Sequence, residues 1–427
     1  MNQESKHEHH QLDRSQNKAL KSLKEKLNSM YVNKQVSMWG IPLTMTSNEK
    51  SDVILLKFLK AKEFRVQDSY NMLVKCLSWR KDFGVDSIVG QDLGFKELEG
   101  VVSYFNGFDK EGHPIWWNNH YGIFRNKKIY KKFLGDDKEL QKFIRWKIQV
   151  LERGILKMLD FSPGGVNSFT EVYDATGLPL KEYVFLSKHM LPLFNDYYPG
   201  IVDFKMIINA RWFTRKFMFS IFNPFMINTK KGGCVVCKEE NVVETLYRYI
   251  SPEYVPIQYG GMRQPDELNN SPAKAATEFI VQGEEKFIIP VEGIKAGEKI
   301  TWDVVVGGWD LKYRALFVPD AASKSYDHVV EKRKMLAMPE LVSNSYVAKE
   351  AGKLVLTINN TASQKKKLGA YRFLVQKTNS TEAEVTRVLE QLKAEARKGT
   401  GRGLDLHQGK SETERSYDLQ TSPSHQD

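Results

Sequence analysis

The stretch YYPGIVDFKMIINARWFTRKFMFSIFNPFMI (Tyr197–Ile227) decides the fold, because a strand-like run leads directly into a helix-like run rich in aromatic residues. Phe204–Ala210 is mostly apolar and is typical of a buried strand. Ten of the sixteen residues in Trp212–Ile227 are apolar, and they leave almost no polar side. A surface helix normally carries its apolar residues on one face, so this helix requires a buried or a lipid environment. Arg215 and Lys216 interrupt it, and it is too short and too charged to span a bilayer.

Such a segment can cover an apolar cavity and dip into a membrane surface. That behaviour points to a protein that handles lipid without a membrane span. Six large apolar side chains of the segment are the candidates for this covering role: Trp212, Phe213, Phe217, Met218, Phe219 and Phe222.

The composition is that of a globular protein with a basic surface. The chain has 427 residues, of which 41% are hydrophobic and 27% charged, and its formal net charge is +11. This charge attracts phosphate, whether in nucleic acid or in anionic lipid headgroups. The alternative to a lipid carrier is therefore a basic scaffold or nucleic-acid-binding protein with no lipid exchange. Nucleic acid is not the expected partner, since the aromatic residues cluster with aliphatic residues and no nucleic-acid fold signature is present.

Cysteine usage and motifs argue against a disulfide framework, a metal site and an enzyme. Three cysteines indicate a reduced, cytoplasmic protein. Cys234 and Cys237 form a lone CxxC without a second pair of ligands, so we interpret them as core residues rather than a metal site. We find no GxGxxG, P-loop or GxSxG motif. We therefore expect no cofactor, no metal and no catalysis.

The periodicity changes along the chain and divides it into two folded units. Strand and helix signals alternate up to Gly261, which predicts crossover connections and a largely parallel sheet. Beyond it, alternation such as Ile300, Trp302 and Val304 predicts an all-β sandwich. The expected units are a flexible N-terminal segment (1–50), a helical lead-in (51–95), an α/β domain with a mixed, largely parallel sheet (96–265), a linker (266–277), a β-sandwich (278–378), and a short helix with a disordered tail (379–427).

Five motifs in order resemble the CRAL-TRIO lipid-transfer domain, and the β segment resembles a GOLD domain. The β segment contributes ITWDVVV (Ile300–Val306) and KKKLGAYRF (Lys365–Phe373). This order of domains is similar to that of the plant patellins. The five motifs are LLKFLKAKEF (Leu55–Phe64), WRKDFGVDSI (Trp79–Ile88), DKEGHPIWW (Asp109–Trp117), the run from YYP to INA (Tyr197–Ala210) and VPIQYGG (Val255–Gly261).

The resemblance implies a mechanism for the apolar segment. In the family, a sheet forms the floor of a hydrophobic pocket, and a gating helix swings aside at a membrane to admit one lipid. That helix corresponds to Arg211–Phe222, so the resemblance implies that the six large apolar side chains named above form a lipid gate, which shields one hydrophobic ligand. The resemblance also implies peripheral association with anionic, phosphoinositide-containing membranes, a protein partner through the GOLD domain, and a role in membrane trafficking and cell-plate formation.

The headgroup positions depart from the pattern of phosphatidylinositol-binding members. Those members carry hydroxyl residues, a glutamate and a lysine where this chain has Phe169, Glu171, Gly200 and Gly233. We therefore expect a weak preference for phosphatidylinositol. The candidate contacts with headgroups or membrane are the two basic residues of the apolar segment, two lysines just before Gly233 and three lysines in a turn of the sandwich: Arg215, Lys216, Lys230, Lys231, Lys365, Lys366 and Lys367.

Overall fold

The computed structural model describes residues 12–32, 34–44, 48–119, 123, 126–177, 180–211, 233–263, 273–307, 311–320, 328–335 and 340–377. Within these ranges, no helix combines the length and the apolar character that crossing a membrane requires.

Helix α1 (Arg14–Met30) corrects the expectation of a flexible segment at residues 1–50. It begins with a capping box, in which the Asp13 carboxylate accepts from the Gln16 amide and the Gln16 side chain accepts from the Asp13 amide. Leu23 and Leu27 are fully buried on one side of the helix. The i, i+4 spacing of these leucines supplies the apolar stripe that fixes α1 to the domain.

The lead-in packs around the same core as α1. A short hairpin (β1, Ser37–Met38; β2, Ile41–Pro42) precedes helices α2 (Glu49–Ala61), α3 (Val66–Phe83) and α4 (Val85–Ile88). Gly84 ends α3 in the left-handed region with φ of 70°, a conformation that glycine adopts without a steric penalty. The apolar core of this lead-in is continuous with Trp116 and Phe169 of the central sheet.

The central sheet is mixed and mostly parallel, as the sequence predicted. Its strand order is β3-β4-β5-β6-β7, with β3 and β4 antiparallel and the remaining pairs parallel. The strands are β3 (Ser103–Phe108), β4 (Pro114–Asn119), β5 (Phe169–Asp174), β6 (Val202–Ile208) and β7 (Cys234–Val236). The helices of this unit are α5 (Lys127–Leu134), α6 (Asp137–Met158), α7 (Leu180–Tyr197) and α8 (Val242–Tyr249).

The C-terminal unit is the predicted antiparallel β-sandwich. One sheet, here the proximal sheet, has the order β13-β10-β15-β8, and the other, the distal sheet, has the order β12-β11-β14-β9. Alternate residues of the two sheets face each other around Trp302, Tyr313 and Phe317. The strands are β8 (Thr277–Val281), β9 (Lys286–Ile294), β10 (Glu298–Val306), β11 (Lys312–Pro319), β12 (His328–Lys334), β13 (Leu341–Val347), β14 (Gly352–Asn359) and β15 (Lys367–Lys377).

The two units share one apolar core. Val305 and Ala370 of the proximal sheet pack with Trp117 and Met206 of the central sheet and with Leu246 of α8. All five side chains are buried. The sandwich is thus joined to the α/β domain by continuous packing in addition to the chain connection.

Polar contacts border this shared core. The Lys110 ammonium donates to the Tyr247 carbonyl (2.5 Å) and pairs with the Glu278 carboxylate of β8 (2.9 Å). The Lys366 ammonium lies 3.6 Å from the Glu244 carboxylate of α8. These contacts connect the same two units across the edge of the interface.

A buried ion pair joins the lead-in to the central domain. The Arg80 guanidinium of α3 forms two hydrogen bonds to the Glu152 carboxylate of α6, at 2.8 and 3.2 Å. The Tyr198 hydroxyl (2.7 Å) and the Trp39 indole (3.3 Å) donate to the same carboxylate. Both charged side chains are nearly inaccessible. Asp86 also accepts from Arg80 (2.7 Å), but its side chain is 75% exposed.

We expect Glu152→Gln to lower the free energy of unfolding by about 3–5 kcal/mol, because it leaves the buried Arg80 charge without its carboxylate. Asp86→Asn removes an exposed partner of the same guanidinium and should cost no more than about 1 kcal/mol. Urea unfolding followed by circular dichroism measures both losses. Equal, small losses in the two variants would contradict this role for Glu152.

Candidate lipid-binding site

The central sheet has two faces with different coverings. Side chains of a strand alternate between faces, so neighbours in sequence serve different environments. Trp117 faces the core shared with the sandwich, whereas the adjacent Trp116 packs edge-on against Phe194 of α7, with ring centroids 5.7 Å apart. We call the first side the sandwich face and the second the helical face.

An apolar cluster occupies the helical face over β5, β6 and β7. Ile207 is buried, and Tyr173, Cys234 and Val236 are half-buried around it. In the described part of the chain, this cluster contains no helical residue. Cys237 instead packs in the shared core on the sandwich face, so the two thiols of the CxxC serve different faces of the sheet.

A charged pair lies on the same face as the apolar cluster. The Lys205 ammonium of β6 lies 2.7 Å from the Glu171 carboxylate of β5. Strand pairing places these two residues side by side. The Lys205 side chain is 23% exposed and that of Glu171 10%. Both charges also influence Cys234, although burial is the main reason that the pKa of its thiol is raised. The pair therefore borders the apolar cluster.

A hydrogen-bond network continues from this pair into the interior. The Asn118 amide donates to Glu171 (2.9 Å), and the Ser103 hydroxyl donates to the Asn118 oxygen (2.9 Å). The Lys147 ammonium of α6 donates to Ser103 (2.9 Å) and also contacts the Asn118 oxygen. The network holds α6 against the sheet and fixes the Glu171 carboxylate beside Lys205.

Lys147 is the most buried charged group of the network. Its ammonium lies 4.9 Å from the centre of the Trp116 ring, a cation–π distance. Burial lowers the pKa of Lys147 to about 7, and the nearby Glu171 carboxylate partly opposes this shift. Burial likewise lowers the pKa of Lys57 to about 7. Neutral lysine is thus favoured at both positions once the pH exceeds about 7.

A second network fixes the carboxyl ends of β5 and β6. The Asp174 carboxylate accepts from the Tyr259 hydroxyl (2.9 Å), the Asn209 amide (2.8 Å) and Thr176. Asn209 has φ of 57°, in the left-handed region that asparagine tolerates better than most residues. This arrangement anchors the chain at the point where it leaves β6 toward residues 212–232.

The positions that depart from the phosphatidylinositol pattern have defined surroundings. Phe169 is fully buried in the lead-in core. The Gly200 carbonyl accepts from the Lys57 ammonium (2.7 Å), and its φ of 62° disfavours a side chain. Among the described residues, a Cβ added at Gly233 would meet Phe204, at 3.5 Å. The expected weak preference for phosphatidylinositol stays a prediction.

Most of the predicted site residues fall outside the described ranges. These are the six gate residues Trp212, Phe213, Phe217, Met218, Phe219 and Phe222, and the basic residues Arg215, Lys216, Lys230 and Lys231.

The basic turn of the sandwich is described in full. Lys365 is exposed in the turn before β15, and Lys366 pairs with Glu244. Lys367 begins β15 and pairs with Val281 of β8. Lys365 and Lys366 are thus exposed in the turn, Lys367 is half-buried at the start of β15, and their contact with a membrane stays a prediction.

Sequence reasoning did not identify Lys205, Lys147 or Asn118 as parts of a site. A signal for Lys205 was present, because it is a lysine inside the apolar run of β6. Lys147 and Asn118 carried no such signal, since each is one polar residue in an amphipathic helix or strand end. Their meeting depends on how α6 crosses the sheet.

Stability should rise with pH between about 7 and 10, because the unfolded chain there keeps the protons that folded Lys147 and Lys57 have released. Each lysine contributes a slope of at most about 1.4 kcal/mol per pH unit in this window. Lys147→Met should remove its share of the slope, which urea unfolding at pH 6, 7.5 and 9 measures. An unchanged slope would show that Lys147 does not titrate near neutrality.

Three protein-family models agree with this architecture. Residues 18–75 match the CRAL/TRIO N-terminal domain, residues 98–261 the CRAL/TRIO domain, and residues 282–367 the Patellin-1-like C-terminal GOLD domain. The solved structure of Sfh5 aligns over 61% of this chain and 93% of that chain, with a TM-score of 0.49 and 20% identity.

Curated relatives align along most of the chain. Patellin-6 of Arabidopsis thaliana is 49% identical over 87% of this chain and 90% of its own length. Patellin-3 of the same plant is 39% identical over 86% of this chain and 76% of its own length. The phosphatidylinositol transfer protein SFH5 of Meyerozyma guilliermondii is 29% identical over 38% of this chain and 51% of its own length. The chain therefore belongs to the patellin family of CRAL-TRIO lipid-binding proteins, with a C-terminal GOLD domain.

Proposed function

We propose that this patellin holds a single phospholipid or other hydrophobic ligand on the helical face of the central sheet. The observation that carries the proposal is the half-buried apolar cluster around Ile207, which borders the Glu171–Lys205 pair. Acyl chains suit the apolar cluster, and a polar headgroup suits the charged pair. The role is non-enzymatic binding and transfer or presentation of lipid by a cytoplasmic protein.

The strand order supports a gate over this face. Neighbouring parallel strands require a crossover, and crossovers are almost always right-handed. Successive right-handed crossovers that advance in one direction along a sheet share a face. α6 and α7 lie in the crossovers from β4 to β5 and from β5 to β6, and both pack on the helical face. The connection from β6 to β7, which contains the six gate residues, is therefore proposed to cover the same face.

The charged pair bears on headgroup selection. Lys205 is partly neutralised by Glu171, so the pair offers a polar surface with little net charge. Such a surface suits a zwitterionic headgroup as well as an anionic one. Lys230 and Lys231 are proposed to add positive charge near the entrance, as are Arg215 and Lys216 of the gate.

At the cellular level we propose peripheral association with anionic membranes, including phosphoinositide-containing ones, in membrane trafficking and cell-plate formation. Membership of the patellin family supports this role. The shared core leaves most of the GOLD surface free to bind a protein partner, because the interface involves one end of the proximal sheet.

Phe217→Asp together with Phe219→Asp should abolish most lipid extraction, because two charges on the gate are costly in an apolar setting. Extraction of labelled phospholipid from liposomes, followed by native mass spectrometry, measures the loss. The matched control carries Phe108→Asp and Phe373→Asp, which introduce the same charges at side chains that are 42% and 45% exposed. Wild-type extraction by the gate variant would contradict the gate assignment.

Glu171→Gln should increase the anionic share of the extracted lipid several-fold, since Lys205 then lacks its carboxylate partner. Lys205→Gln should lower that share. Extraction from mixed phosphatidylcholine and phosphatidylinositol liposomes, with the bound lipids identified by mass spectrometry, separates the two variants. If both variants extract the wild-type mixture, the charged pair does not contact the headgroup.

A further inference from the structure

The outer face of the distal sheet carries two opposed pairs of basic side chains. Lys312 of β11 lies directly opposite Lys334 of β12, and Arg314 lies opposite Lys332. All four are exposed, whereas the intervening Tyr313 is buried in the sandwich core. Strand alternation therefore directs these four side chains to the same outer face.

The basic character extends across the sheet. Asn359 of β14 pairs with Lys312 on one side and with the exposed Lys286 of β9 on the other. The described strand residues that point outward from this sheet include a single carboxylate, that of Glu292, which lies near the far end of β9. We call Lys286, Lys312, Arg314, Lys332 and Lys334 the basic face.

Cross-strand pairs of like charge oppose folding. Two such pairs in adjacent positions concentrate positive charge on one exposed face of the sandwich. An anionic surface in contact with the face would relieve this repulsion and gain attraction from each basic residue. The arrangement thus matches an anionic partner that contacts several side chains at once.

The shape of the face favours a membrane over a nucleic acid. Ile288 and Val329 lie beside the basic residues with 56% and 54% of their surfaces exposed. They can enter the interfacial region of a bilayer while the basic side chains contact headgroups. Nucleic-acid platforms use aromatic side chains for stacking, and the described outward residues of this sheet include none. We propose that the basic face is the surface by which the GOLD domain docks onto an anionic bilayer.

The location of the basic face separates docking from lipid uptake. The proximal sheet packs against the sandwich face of the central sheet. The distal sheet therefore points away from the α/β domain, and the lipid site lies on the opposite side of the central sheet. Loss of charge on the basic face should consequently leave lipid occupancy unchanged. The proposal rests on the membrane association proposed above, but not on the identity of the bound lipid.

The test is flotation of the full chain with vesicles of phosphatidylcholine containing phosphatidylserine or a phosphoinositide, at several salt concentrations. The variant carries Lys312→Gln, Arg314→Gln, Lys332→Gln and Lys334→Gln. We expect at least a tenfold loss of affinity and a weaker salt dependence, since each basic residue near an anionic surface contributes appreciably. Native mass spectrometry should find the wild-type lipid content. The same three lysines changed to Arg should retain binding.

The matched control, here the lead-in control, loses four exposed basic residues of α1 and of the lead-in helix α3: Arg14→Gln, Lys18→Gln, Lys21→Gln and Lys81→Gln. A second comparison changes Lys365, Lys366 and Lys367 to Ala. The proposal is overturned if the basic-face variant floats like wild type, if the lead-in control loses as much affinity, or if only the Lys365–Lys367 variant fails. Selective loss of RNA binding with normal flotation would also overturn it, in favour of nucleic acid. Wild-type protein that does not float would instead refute the proposed membrane association.

Discussion

The structure depends on a constraint of the central sheet, whose strands must satisfy two different environments with alternating side chains. On the sandwich face, Trp117 and Met206 pack into the shared apolar core. On the helical face, their sequence neighbours meet α6, α7 and the apolar cluster around Ile207. A one-residue slip of any strand would exchange these environments, so packing on both sides fixes the register.

The shared core makes the GOLD domain a structural part of the lipid-binding unit. The apolar side chains on the sandwich face of the central sheet are covered by α8 and by the end of the proximal sheet. An isolated CRAL-TRIO unit of this chain would expose that surface to water, at a cost that scales with the apolar area. The two units therefore support each other, while the distal sheet remains available for other contacts.

Two buried ionisable groups, Glu152 and Lys147, are accommodated in different ways. Glu152 accepts from Arg80, Tyr198 and Trp39, so its carboxylate is fully hydrogen-bonded away from water. Lys147 takes the other course, since burial favours loss of its proton. The first arrangement connects α3 with α6, and the second connects α6 with the sheet. Together they position the helices that border the proposed lipid site.

The sequence by itself determined the order of domains, the mixed sheet and the antiparallel sandwich, because these follow from hydrophobic period and local motifs. The sequence did not predict α1, because polar residues surround its leucine stripe and the core into which these leucines pack forms only in the folded domain. It did not find the Glu171–Lys205 pair or the basic face, either. Both form between residues distant along the chain, and strand pairing alone decides which side chains become neighbours. Register is a property of the packed sheet, so these charges could be placed only by the tertiary structure.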